Sequence, residues 1–205
     1  MLFESADPSI IRSIMQRVLY KAWHRALRAP CPMPLIADFR AEATADEQAD
    51  MMRYDVERSG DAVRFLITRE GARLAAAYGS EHLAPDERTN RYLDDALGRE
   101  RYERVIASYR ACVALKRPTY TVATVQDADG KDVSYERLLL PFGSGDAVEQ
   151  IVGSFKAISI DGGFKLSNLM GVMATTVPVT TTRAVIDREF VPAPRPSCDD
   201  AVELS

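Results

Sequence analysis

The chain predicts an α+β fold built on an antiparallel sheet, and three observations carry that reading. Strand-like alternation comes in two groups, over 51–70 and 119–159, instead of alternating with helices as a parallel sheet requires. Short turn signals, Ser59-Gly60 and Asp129-Gly130, lie inside those groups and read as hairpins. Helical periodicity fills the stretches before and between them, and no segment repeats another.

In chain order, Asp7 is placed to cap and Pro8 suits a first helical position. Apolar pairs at Ile10/Ile11, Ile14/Met15, Val18/Leu19, Ala22/Trp23 and Ala26/Leu27 then predict one long helix beginning at Pro8. Its other face carries Arg12, Arg17, Lys21, Arg25 and Arg28 with no acid between them. That pattern suits an amphipathic helix packed on its own sheet or on a partner's helix, with a membrane-surface helix as the alternative. "PCPMP" at 30–34 breaks the helix, and an exposed acidic segment runs to Asp50. "MMRYDVE" and "AVRFLITRE" form the first hairpin, and "GARLAAAYG" follows as a short helix ending at Gly79 in a left-handed cap. Loops and brief helical turns occupy 80–99. "ERYERVIASYRACVALKRP" is a longer helix burying Tyr102, Val105, Ile106, Tyr109, Cys112 and Val113, stopped by Pro118. "TYTVATVQ", "VSYERLLLPF" and "VEQIVGSFKAIS" are three closing strands. Residues 160–189 suggest a helical turn and then a strand in "VPVTTTRAVI". The organisation expected is an N-terminal helix (1–30), a central domain (31–159), an extension (160–191) and a flexible tail (192–205).

The 205 residues carry 26 Lys+Arg against 30 Asp+Glu, an acidic balance that speaks against non-specific nucleic-acid binding. Cys31, Cys112 and Cys198 are isolated, so neither a disulfide framework nor a zinc site is written here. Glu4 and Asp7 stand where a signal peptide would be basic and then apolar, and the most apolar run, "LMGVMATTV", is too short to span a bilayer. A cytoplasmic protein without a membrane span is the expectation. No Gly-x-Ser-x-Gly, His-Glu-x-x-His or phosphate-binding Gly-x-x-x-x-Gly-Lys occurs, which argues against an enzyme. "DADGKD" lacks the ligand spacing and closing glutamate of a calcium loop and reads as a turn. His24 is read as solvated or structural, and Cys112 as small core packing. His82 lies in the loop region near the expected pocket, with an unusual haem ligand as its sharper alternative.

Element order and motifs together resemble the PAS superfamily, whose five-stranded antiparallel sheet has a two-strand start, a helical middle over one face and a three-strand finish. "YKAWHRAL", "MMRYDVE", "VRFLITREGARLAAAYG" and above all "YERLLLPFGSGDAVEQIVGSFKAI" are similar to a bacterial, often stand-alone PAS-related family. In that family a Tyr-Glu-Arg-x-x-x-Pro strand leads into an Ile-x-Gly strand. The likeness covers about residues 8–159. It implies a sensory or regulatory module that binds a small ligand and signals through contact with a partner protein or a second copy, by way of the N-terminal helix. The Asn-Cys-Arg-Phe-Leu-Gln motif of flavin photosensors is missing from 72–100, and the long helix lacks the histidine of haem sensors, so no cofactor is assigned. The alternatives are a structural dimerisation domain without ligand and a small enzyme using the same pocket.

Within "SYERLLLPF" two opposite charges, Glu136 and Arg137, stand side by side and must point to opposite faces. A two-residue turn at Asp129-Gly130 would pair Arg137 with Val122 and Tyr135 with Thr124, and the next hairpin would set Gly153 opposite Arg137. One face then collects Tyr120, Val122, Tyr135, Arg137 and Leu139 beneath the middle helices. The other holds Glu136 beneath the first helix. An inward Arg137 needs acceptors. Either backbone carbonyls or an acid such as Glu70 satisfies it, or it clamps a ligand carboxylate or phosphate between Tyr109, Tyr120, Tyr135 and Phe65.

Overall fold

The computed structural model describes residues 3–40, 45–60, 62–159, 162–171, 174 and 176–187. Its elements are β1 (Glu4–Ala6), α1 (Ile14–Arg25), α2 (Ala45–Gln48), β2 (Met51–Ser59), β3 (Ala62–Glu70), α3 (Ala72–Tyr78) and α4 (Pro85–Arg88). These are followed by β4 (Arg91–Tyr92), α5 (Leu93–Leu97), α6 (Arg99–Leu115), β5 (Thr119–Gln126), β6 (Asp132–Phe142), β7 (Gln150–Ile158) and β8 (Val179–Ile186). The α+β class holds. The sheet has eight strands and not five, in the order β1-β8-β5-β6-β7-β2-β3-β4. The five expected strands lie contiguously within it as β3-β2-β7-β6-β5. The additions are edge strands: two-residue β4 beside β3, and β8 beside β5 with β1 parallel to it. The expected tail, 192–205, lies outside the described residues.

Helices cover both faces of the sheet. α1 begins at Ile14, not at Pro8: Asp7 accepts from the Ser9 N–H and caps a single 3-10 turn, Pro8–Ile10, while Ser13 caps α1 itself. α1 buries Leu19, Ala22 and Trp23 against the sheet and leaves Ile14 and Val18 68% and 45% exposed. Trp23 Nε1–H donates to the Pro141 carbonyl at 2.7 Å and Gln16 Nε2–H to the Ser154 carbonyl at 2.9 Å, docking α1 across β6 and β7. α6 packs on the opposite face through Ile106, Tyr109 and Cys112. α3 ends as expected at Gly79, whose φ of +75° suits glycine.

The β5–β6 hairpin differs from the two-residue turn expected at Asp129-Gly130. Gln126 pairs with Asp132, leaving a five-residue connection, Asp127 to Lys131. Asp127 folds it by accepting from the Asp129 and Lys131 N–H groups at 2.9 Å each, and its other oxygen takes the Lys165 N–H. Arg137 therefore lies opposite Thr121 and not Val122. Because side chains alternate, that one-position slip moves Tyr120 and Val122 to the α1 face. The β6–β7 register moves by two positions, which preserves the faces: Arg137 lies opposite Phe155, and Gly153 opposite Leu139.

Candidate functional site

β6 is buried on both faces from Tyr135 to Phe142, so apolar alternation does not distinguish its two sides. The charges do. Glu136 and Arg137 are 2% and 7% exposed and enter two separate environments.

On the α1 face, Glu136 Oε2 accepts from the Tyr120 hydroxyl at 2.8 Å and from the Ser13 N–H at 3.2 Å. Tyr120 in turn accepts from the Arg12 N–H at 3.1 Å. Backbone donors without helical partners and the helix dipole both favour a carboxylate at this end of α1. Glu136 and Tyr120 thus hold the start of the helix. Tyr120, expected among the ligand-binding residues, belongs to this anchor.

On the opposite face, Arg137 meets no acid: among the described residues no carboxylate comes within 4 Å of it. Glu70, the acid expected as its partner, pairs with Arg91 at 3.6 Å. The guanidinium donates from Nη1 to Ser108 Oγ at 3.3 Å, and its buried Nε has no partner. Ser108 spends its own proton on the Val105 carbonyl, at 2.7 Å. The rings of Tyr109 and Phe155 lie 5.8 and 5.7 Å from the guanidinium carbon, near the outer limit of cation–π attraction.

Four phenols complete the surroundings, all within electrostatic reach of the guanidinium. Tyr109 donates to Tyr54 at 2.9 Å, Tyr54 to Met52 Sδ at 3.1 Å, and Tyr135 to Tyr78 at 3.3 Å. Burial, above all, pushes Tyr54, Tyr109 and Tyr135 well above the ordinary phenol range, so they remain neutral. Phe65 packs on Tyr109 with centroids 5.2 Å apart. Of the residues expected at the site, Arg137, Tyr135, Tyr109 and Phe65 converge here.

Three contributors escaped the sequence reading. Tyr54 shares a face with Met52 and Val56, so period-two alternation in β2 could have found it. Ser108 and Tyr78 carried no signal: one is a serine inside a helix, the other the last residue of a short one. Tyr78 also lines an open cleft of about 470 Å³ with Leu97, Arg101, Val105, Met170 and Pro178. The other candidates are ordinary. His24 and His82 are exposed, and Cys112 is buried with its thiol pushed up by that burial. What remains is a fixed cation without an acid partner, among hydroxyls most of which already donate elsewhere, an arrangement suited to an anion. Comparison with protein-family models and with curated proteins finds no match for the chain.

Proposed function

We propose that this chain is a PAS-type regulatory module that binds a small anionic ligand at Arg137 and passes the signal on by protein–protein contact. The observation that carries the reading is the buried guanidinium without an acid partner. Arginine keeps its proton at any physiological pH. A buried charge left uncompensated costs about 3–5 kcal/mol, and one long hydrogen bond with two distant rings offsets only part of that. Two features support the PAS-type assignment: the contiguous set β3-β2-β7-β6-β5, and the helices α3 to α6 placed between its two-strand start and three-strand finish. The exposed side of α1, with Ile14 and Val18 beside Arg17, Lys21 and Arg25, is the surface proposed for a partner or a second copy.

The test is Arg137→Met, which keeps length and removes charge. If the arginine serves a ligand at the expense of the ligand-free fold, thermal unfolding shows the variant more stable by about 1–4 kcal/mol, a rise of roughly 2–4 °C per kcal/mol. Native mass spectrometry of the same variant loses any small molecule that the wild type retains. A lowered melting temperature with unchanged ligand content would make Arg137 structural and favour the ligand-free dimerisation domain.

A further inference from the structure

The phenol of Tyr78 spans two places, the open cleft beside α6 and the buried cluster around Arg137. It is held lightly. Among the described residues its hydroxyl makes one hydrogen bond, the 3.3 Å contact from Tyr135, and donates to nothing. Tyr78 is the final residue of α3, followed at once by Gly79 in the left-handed conformation. The Arg137 Nε lacks an acceptor in the same cluster.

We infer that the ligand enters through the α6 cleft by displacing the Tyr78 phenol. It is a monocarboxylic acid with an apolar tail, its carboxylate on Arg137 and its tail in the cleft over Leu97, Val105, Met170 and Pro178. This rests on the proposed function. Charge selects the head group: one cation meets one negative charge, and a phosphate dianion would bring a second charge to a cluster whose other groups are tyrosine and serine hydroxyls and no second cation. Geometry points the same way, because a planar carboxylate matches the fork of Nε and an Nη, and Nε is the atom without a partner. Two of the cleft's three arginines pair with acids, Arg99 with Glu103 at 3.2 Å and Arg104 with Glu100 at 3.6 Å, and the third, Arg101, is turned to the Met170 carbonyl at 2.5 Å. That leaves the apolar side chains to hold the rest of the molecule.

The probes are octanoate and 4-phenylbutyrate, with the corresponding primary amides as neutral isosteres, titrated calorimetrically into the full chain. The expected result is binding of the acids and not of the amides, weakened about 30-fold or more by Arg137→Met. Tyr78→Ala, which removes the stopper, tightens binding about tenfold and raises the association rate, and Tyr78→Phe has a smaller effect. Val105→Trp fills the cleft and weakens binding at least tenfold. Leu97→Trp does the same if the first variant fails to fold. Acid binding that needs Arg137 but ignores Tyr78→Ala and both cleft-filling variants leaves the proposed function standing and overturns the route. Equal binding of amides, or tighter binding of alkyl phosphates, overturns the carboxylate assignment. If no probe binds the wild type or Tyr78→Ala, the inference fails, and the stability of Arg137→Met then decides whether the ligand-binding role fails with it.

Discussion

Arg137 shows what one residue can and cannot announce. An arginine in an apolar strand is legible as an anomaly, and period-two alternation opposes it to Glu136 whatever the register. Its partners were not legible. Ser108 and Tyr54 come from elements whose docking depends on long-range packing, and the acid nearest in expectation, Glu70, is taken by Arg91. Gly153 makes the same point. The space left by its missing side chain, expected opposite Arg137, is occupied by the Phe155 ring: a Cβ there would stand 2.8 Å from Phe155 Cε2 and 3.3 Å from Leu139 Cδ2. Gly153→Ala is therefore expected to push the Phe155 ring out of place at a cost of about 1–3 kcal/mol, measurable by denaturant unfolding. An unchanged midpoint would show that the ring yields freely.

At the scale of elements, existence was legible and junctions were not. β2, β3, β5, β6, β7, α3 and α6 stand where alternation, turn residues and caps put them. Two of the junctions that moved were decided by single polar side chains. Ser13 captures the Gln16 N–H and starts α1 after the 3-10 turn that Asp7 caps. Asp127 collects three N–H groups and widens the β5–β6 connection beyond the two residues that Asp-Gly suggests. The Lys165 and Lys131 N–H groups, ahead of smaller contributions, hold the Asp127 carboxyl below its ordinary value of 3.8. A carboxylate whose folded value is depressed stabilises the fold above its unfolded value, and the contribution disappears as pH falls through the folded one. Asp127→Asn should therefore be less stable than wild type by a constant margin at neutral pH. The two unfolding curves should converge as pH drops below 3.8. Parallel curves down to pH 2 would show that the hydrogen bonds stabilise the turn without involving the charge.

For the whole molecule, the class was legible because strands cluster on either side of helices, while the width of the sheet was not. β1 and β4 are three and two residues long, too short for a periodic signal, and β8 reads as a strand without saying which edge receives it. Among the described residues no helix is long and apolar enough to cross a membrane. The outward side of α1 bears on how two copies could meet. Arg17, Lys21 and Arg25 are exposed there, without a described carboxylate within 4 Å, so a two-fold contact through this side would set like charges together. A dimer formed through α1 should strengthen between 50 and 500 mM salt and be lost in Ile14→Glu, as read by sedimentation velocity. A dimer that weakens with salt or ignores Ile14→Glu uses another surface. The adjacent charges on β6 carry a last consequence, for fidelity of folding. A strand apolar on both sides could slide by one position against its neighbours without exposing a single leucine. Here the slide would bury a carboxylate among phenols and aim a guanidinium at the positive end of α1, two faults at once. Glu136 and Arg137 together act as a proofreading mark that makes a one-position slip self-rejecting.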